Sequence, residues 1–202
     1  YQSVHTDTTR TVTNVTPTAD FRWKISKLSQ LRFTYRGNTS QPSMTDLLDI
    51  TDDSNPLNVK KGNPGLKPSF TQNFRLFYNN YIQNHQRSIM AHLMFSTTDN
   101  SISNMVTYDK TTGGRTTRPE NINGNWNAFG MFMFNTAIDT AAYFNVNTFT
   151  TVNYSNSVGY VSVDKADSQK STTRTTNLSE RIAASYRNDW LEFELNGSLS
   201  YM

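Results

Sequence analysis

The sequence predicts an all-β fold, an antiparallel meander of about eight long strands. Three observations carry this. Thr, Tyr, Phe and Val suit a pleated surface and are frequent, with aromatics making up 12% of the 202 residues. Apolar and polar residues alternate with a period of two over runs longer than ordinary strands. Helical periodicity is nearly absent. The single candidate is Ser43 to Ile50, where Met44, Leu47 and Leu48 share a face for a turn or two inside a loop. The apolar share is only 35%, but the aromatics are too regularly spaced for a disordered chain.

The expected strands run over residues 10–25, 30–40, 69–80, 86–109, 115–134, 141–163, 171–187 and 190–202. In the first pair, "DFRWKI" and "LRFTYR" are joined by "SKLSQ". Setting Ile25 against Leu31 places Trp23 opposite Phe33 and Phe21 opposite Tyr35. The reverse face then carries Arg22, Lys24, Arg32 and Arg36, with Lys24 opposite Arg32. Like charges so placed repel, and they need water or acids from elsewhere. "QNFRLFYNN" and "RSIMAHLMF" pair around Tyr81 to Gln86, and "MVTYDKTTGGRTTRP" turns at Gly113-Gly114. "NWNAFGMFMFN" and "YFNVNTFTTVNY" flank "TAIDTA", and "DKADSQKSTT" forms the last long loop. At the C-terminal end a two-residue turn at Asn188-Asp189 sets Tyr186 against Leu191, Ala184 against Phe193 and Ile182 against Leu195. The apolar faces then coincide, and Arg181 and Arg187 flank Glu192 and Glu194 on the other side.

The connections alternate. They are short near residues 27, 83, 138 and 188, and long over 41–68, 110–114 and 164–170. Long strands with short turns at one end and long loops at the other are the pattern of outer-membrane barrels. Trp23, Tyr78, Trp126, Tyr143, Tyr186 and Trp190 fall near strand ends, where aromatic girdles sit at the membrane interfaces. The expected architecture is therefore part of a large transmembrane β-barrel, with residues 1–202 as one segment of its wall.

Composition excludes other classes. With no cysteine there is no disulfide framework and no thiolate metal site. The net charge of +3 is mild and the basic residues are scattered among acids, so no nucleic-acid partner is expected. No run reaches the length of a transmembrane helix. The chain starts at Tyr1 without a recognisable signal peptide and stops inside an alternating pattern at "NGSLSYM". The expectation is a piece of something longer, which in isolation exposes unpaired sheet edges and self-associates or needs detergent.

The stretch "RFTYRGNTSQPSMTDLLDITDDSNPLNVKKGNPGLKPSFTQNFRLFYNNY" resembles the barrel of TonB-dependent outer-membrane receptors, closest to the Bacteroidetes-type outer-membrane β-barrel family. The matching positions are Arg36, Pro42, Leu47, Asn55, Pro56, Gly62, Asn63, Pro64, Leu66, Lys67, Pro68 and Phe74. The motif covers about a quarter of the chain. The resemblance implies an upward strand, an extracellular loop and a downward strand. It also implies a large barrel around a plug, of which this chain supplies neither the plug nor the energy-coupling segment. Separately from any family, Asn63-Pro64 and Lys67-Pro68 fix extended geometry, while Gly62 and Gly65 permit positive φ. The segment is either a rigid outer loop shaping a mouth or a clip that returns the chain to the wall without touching a ligand.

No motif of an enzyme is present: no Gly-x-Ser-x-Gly, no P-loop, no His-Glu-x-x-His. No catalytic residue, cofactor or metal is therefore expected. His85 and His92 differ in strand parity, which separates them as metal ligands, and His92 is expected to face the lumen. Asp46, Asp49, Asp52, Asp53 and Asn55 have calcium-type chemistry without EF-hand spacing and read as a solvated acidic loop. The basic cluster of Arg22, Lys24, Arg32 and Arg36 faces the lumen or a plug. It pairs with acids there, or it meets an anionic substrate. Tyr154, Tyr160 and Trp126 form an interfacial belt or stack on a ligand.

By resemblance, the segment belongs to the outer membrane of a bacterium. It would be part of a receptor that imports a scarce nutrient, a siderophore, glycan or peptide, with membrane lipid, a plug and the TonB system as partners. Two alternatives stand beside this: a soluble, secreted all-β binding module, carbohydrate-binding or adhesin-like, and a small self-contained outer-membrane barrel. A module requires short strands with turns every 8–12 residues or so.

Overall fold

In the computed structural model, residues 11, 13–83, 86–162 and 166–202 are described. Eight long strands form one antiparallel sheet: β1 (Thr18–Ser26), β2 (Ser29–Ser40), β5 (Ser69–Ile82), β6 (Arg87–Asp99), β9 (Asn125–Ala137), β10 (Phe144–Val161), β11 (Gln169–Arg187) and β12 (Glu192–Tyr201). The spatial order is β1-β2-β5-β6-β9-β10-β11-β12, a meander interrupted by two excursions. The first holds the short helix α1 (Met44–Leu47), β3 (Thr51–Asp52) and β4 (Asn58–Lys61). The second holds β7 (Ser101–Tyr108) and β8 (Arg115–Ile122). Together the excursions make a second sheet of order β3-β4-β8-β7, in which β4 and β8 run parallel.

The two-residue period sorts the large sheet into two faces. One carries Phe21, Trp23, Phe33, Leu76, Leu93, Phe132, Val152, Ile182 and Leu195, and the register keeps these positions on one side across the strands. The other carries Thr34, Asn73, Ser96, Asn127, Asn153, Asn177 and Asn196. The apolar face is not a core. Phe21, Trp23, Leu93, Ile182 and Leu195 are each about half or more exposed. Among the described residues the buried apolar side chains are few: Leu66, Ile122, Ala137 and Val158. Leu66 and Ile122 belong to the excursions, and Val158 lies near the loop end of β10. The largest apolar surface thus faces outward and the dry packing sits at the rim.

Aromatics frame the outward face. Tyr35, Phe74, Phe95, Trp126 and Tyr154 touch in sequence across five neighbouring strands, with ring centroids 5.0, 6.1, 5.8 and 4.8 Å apart. Near the short turns, Tyr143, Phe144 and Tyr186 form a second group. Along β10 the outward positions from Phe144 to Tyr154 are ten steps apart. That is about 33 Å of strand at 3.3 Å per residue. At barrel tilt it spans about 25 Å, the height of a lipid-facing band. One acid, Glu180, stands in the middle of the outward face of β11, where the Thr150 hydroxyl donates to its carboxylate.

The expected strand positions hold, with four corrections. The first pair is set two residues away from the expected register: Trp23 faces Leu31, Phe21 faces Phe33, and Arg22, not Lys24, stands opposite Arg32. The turn is shorter than "SKLSQ" because Ser26 already pairs with Ser29, with a register shift between Lys24 and Ser26. The first long strand begins at Thr18; residues 11 and 13–17 of its expected start are not strand, with Pro17 lacking an N–H for the ladder, and residues 10 and 12 lie outside the described residues. The last hairpin also slips by two: Tyr186 faces Phe193 and Ala184 faces Leu195. There Asn188 Oδ1 accepts from the amides of Trp190 (3.1 Å) and Leu191 (2.7 Å), which holds four residues in the turn instead of two. A two-residue slip preserves parity, so the faces survive both errors.

The fourth correction concerns length. The runs 86–109 and 115–134 are each broken in two, at Asn100 (φ 54°) and at Asn123-Gly124 (Gly124 φ 115°). The paired breaks bend the tip of the β6–β9 hairpin out of the wall as β7–β8. Gly124 also approaches Val158 closely, since an added Cβ would lie 3.0 Å from its Cγ2. Gly124→Ala is therefore expected to lower stability by about 1–3 kcal/mol. Thermal unfolding in detergent checks it, and an unchanged midpoint would refute the strained kink.

The short turns are capped by side chains. At β9–β10, Asp139 accepts from the amides of Phe144 (2.8 Å) and Tyr143 (3.1 Å). The Phe144 amide is the main cause holding its carboxyl below the ordinary value, and the Tyr143 amide adds to it. With the folded value depressed, the cap stabilises the turn above the ordinary carboxylate pKa and is lost as pH falls through the lowered one. Protection of the Phe144 amide, corrected for intrinsic exchange, should fall in that acid range in the native chain and stay flat in Asp139→Asn.

Candidate functional site

The polar wall and the rim above it carry the sequence-predicted residues. On the wall, Arg22, Lys24, Arg32 and Arg36 share one face, as expected, and Arg75 of β5 joins them opposite Thr34. Arg75 was not singled out from sequence because its membership depends on the β2–β5 register. Asp20 sits on the same face and forms an ion pair with Arg32 at 2.5 Å. These three strands therefore present five cations and one acid on that face. At the other end of the sheet, Arg181 and Arg187 share the polar face with Glu192 and Glu194, and Arg187 pairs with Glu192. Charge is balanced there and unbalanced at β1, β2 and β5.

A cavity of about 590 Å³ opens on the unbalanced region. It is lined by Thr18, Thr34, Arg36, Asn38, Asn73 and Arg75, among others. Gly37 borders it, and on the opposite, apolar face an added Cβ there would lie 2.7 Å from the Phe70 ring and 2.9 Å from Pro17. The Gly37 amide donates to Pro17 O at 2.8 Å, which lays the segment before β1 along β2. His92 lies on the polar face, opposite Phe77 and edge-on to its ring. His5 and His85 fall outside the described residues.

At the rim, the loop motif is a clip. Gly62 is required, since any Cβ would lie 1.8 Å from Leu48 O. Asn63 is buried and makes three side-chain hydrogen bonds: its Nδ2 donates to Pro119 O (2.9 Å), and its Oδ1 accepts from the Gly65 amide (3.0 Å) and Arg118 (2.9 Å). Leu66 is the most deeply buried large side chain, 1% exposed. Asn121 accepts from the Lys67 amide (2.8 Å) and donates to Lys67 O (3.0 Å). Asn125 does the same for Val158, at 2.7 and 3.2 Å. A carboxamide offers one donor side and one acceptor side, as a peptide does, and so continues a ladder where the strands part. Pro64 and Pro68 interrupt pairing between the clip and β5, while Asn55 caps a turn by accepting from the Leu57 amide (3.1 Å), with Pro56 within it. Pro42 directly precedes the helix cap Ser43, whose Oγ accepts from the Asp46 amide at 3.1 Å.

Residues 167 and 168 of the third long loop join the same layer. The Ser168 amide donates to Val106 O (2.7 Å), and Asp167 accepts from the Tyr108 amide (2.7 Å), covering the free edge of β7. Arg118, Asn121 and Asn125 could not be found from sequence, because a single Asn gives no signal of the backbone it will meet. The acids Asp46 and Asp52 are engaged locally with Ser43 and Ser54. Among the described residues no group of three or more His, Asp or Glu gathers as a metal site.

The wall has a lipid-compatible outer face, a hydrogen-bonding inner face and continuous backbone pairing between neighbouring strands. A soluble module built from packed sheets would bury its apolar face; this sheet leaves it open. That defines a transmembrane β-barrel wall. The outer membrane protein beta-barrel family matches residues 1–201, and the chain belongs to it. Its place is the bacterial outer membrane. No curated protein and no solved structure matches the chain.

Asn63→Ala should free the clip without opening the wall. The loss of buried hydrogen bonds costs about 2–3 kcal/mol locally. Limited trypsin digestion should then cut at Lys60 or Lys61 well before the wall melts in detergent. Unaltered resistance would show that the clip does not depend on Asn63.

Proposed function

We propose that the chain is barrel wall of a TonB-dependent outer-membrane receptor that imports a scarce nutrient, a siderophore, glycan or peptide. The observation that carries this reading is the rim. The first two long loops and residues 167–168 of the third are stitched into one layer over the wall, and the first follows the loop pattern of that receptor type. A stiff rim suits selective capture of a ligand better than free passage through an open pore. The wall would act by binding and orienting, without covalent chemistry. Its partners would be outer-membrane lipid, a plug and the TonB system.

A second reading, a self-contained small barrel, is favoured by the strand number, since eight strands suffice for the smallest barrels. In the described sheet β1 and β12 stand at opposite ends of the strand order and do not pair with each other. Accumulation of labelled siderophore, glycan or peptide should fall for one of these classes in cells lacking the gene. Restored accumulation in complemented cells should stop when a protonophore collapses the inner-membrane gradient. Accumulation indifferent to the protonophore would rule out TonB coupling and favour the small barrel.

A further inference from the structure

We propose that the Arg36–Arg75 cavity on the polar wall binds a small polyanion, a ligand carrying carboxylate or phosphate groups. This deepens the import reading and rests on it for the ligand's role, though not for its binding. Arg36 stands opposite Asn73 and Arg75 opposite Thr34, so the two arginines are diagonal neighbours on adjacent strands. Diagonal positions lie about 7–8 Å apart at Cα, a span that two guanidinium forks bridge around one ligand. Neither guanidinium has a hydrogen bond or ion pair among the described residues. The nearest acid on these strands, Asp20, is taken by Arg32.

The remaining lining fits the same chemistry. Thr18, Thr34, Asn38 and Asn73 offer neutral donors and no competing carboxylate. About 590 Å³ falls in the range of small-molecule pockets and exceeds a single inorganic ion. The contrast within the wall matters most. Where Arg187 lies, the neighbouring strand supplies Glu192 opposite it and Glu194 one step further along the same face, while Arg181 stands opposite Ser198. Where Arg36 and Arg75 lie, the facing positions are Thr18, Asn73, Thr34 and Met94, and the one acid diagonal to Arg36, Asp20, is held by Arg32. Two unpaired arginines side by side repel each other, so an anion between them relieves a cost that the fold itself leaves in place.

The test is calorimetric titration of the full gene product in detergent, with citrate as the carboxylate probe and inorganic phosphate as the phosphate probe. At least one should bind saturably, more weakly as salt rises. Arg36→Gln and Arg75→Gln should each weaken it roughly tenfold or more, as expected for loss of charge-assisted hydrogen bonds. Arg181→Gln should leave it unchanged, and Arg36→Lys should fall between. Retention of the folded, heat-modifiable band in gel electrophoresis shows that each variant still folds. Absence of saturable binding to the native protein, or equal affinity in the Gln variants, overturns the site. So does a melting-point loss in Arg36→Gln larger than in Arg181→Gln with no anion binding, since an internal acidic segment would then be the occupant. Binding that persists while energised uptake is absent supports the site and removes the import reading alone.

Discussion

Every peptide group in the wall has to find its partner in the next strand, because hydrocarbon offers none. The other features follow from that constraint. It forces strands of the length of β10 and β11, whose pairing runs without a break from Phe144↔Tyr186 to Val161↔Gln169. It fixes parity, because a slip of one residue would turn Asn and Ser toward lipid and Phe toward water. It tolerates slips of two, which is why both mistaken hairpin registers leave the faces intact. It also relaxes at the rim, where water returns and the chain bends at Asn100 and Gly124.

The rim carries its own version of the same requirement. Where strands part, carboxamides take the place of peptides: Asn121 for the chain at Lys67, Asn125 for Val158, Asn63 for Pro119 and Gly65. Leu66, Ile122 and Val158 then find the dry packing that the wall lacks. The rim is thus the only part of the described molecule organised like a globular protein, with apolar side chains inside and polar ones outside. The rim's order rests on its own contacts, so a change such as loss of the Asn63 clip acts on the rim before the wall.

How much of this the sequence discloses depends on the range of the interaction. The alternation in "WLEFELNGSLSYM" is set by adjacent residues and gives the faces correctly. The turn at Asn188 is missed because its length is decided by one side chain choosing two amides beyond it. The break at Gly124 is hidden inside an apolar-polar run that continues on both sides. The parallel pairing of β4 with β8 joins residues more than fifty positions apart and has no local trace. The basic face is legible as four residues, but Arg75 enters it only through the β2–β5 register, and its position beside Arg36 is what gives the face a pocket.

Charge on the two faces obeys different rules. On the outer face one acid, Glu180, is tolerated in mid-strand with a hydroxyl partner, at a cost that lipid-facing carboxylates bear more lightly than lysine or arginine do. On the inner face water is at hand, and cations can stand unpaired without unfolding the sheet. Stability therefore does not explain why β1, β2 and β5 hold five cations against one acid while β11 and β12 are matched. A wall that faced only water would gain by mixing its signs. Concentrating one sign beside a cavity instead builds a field that draws in and holds the opposite sign. The asymmetry is a property of the assembled register, and it places any selectivity of this wall at its first three strands.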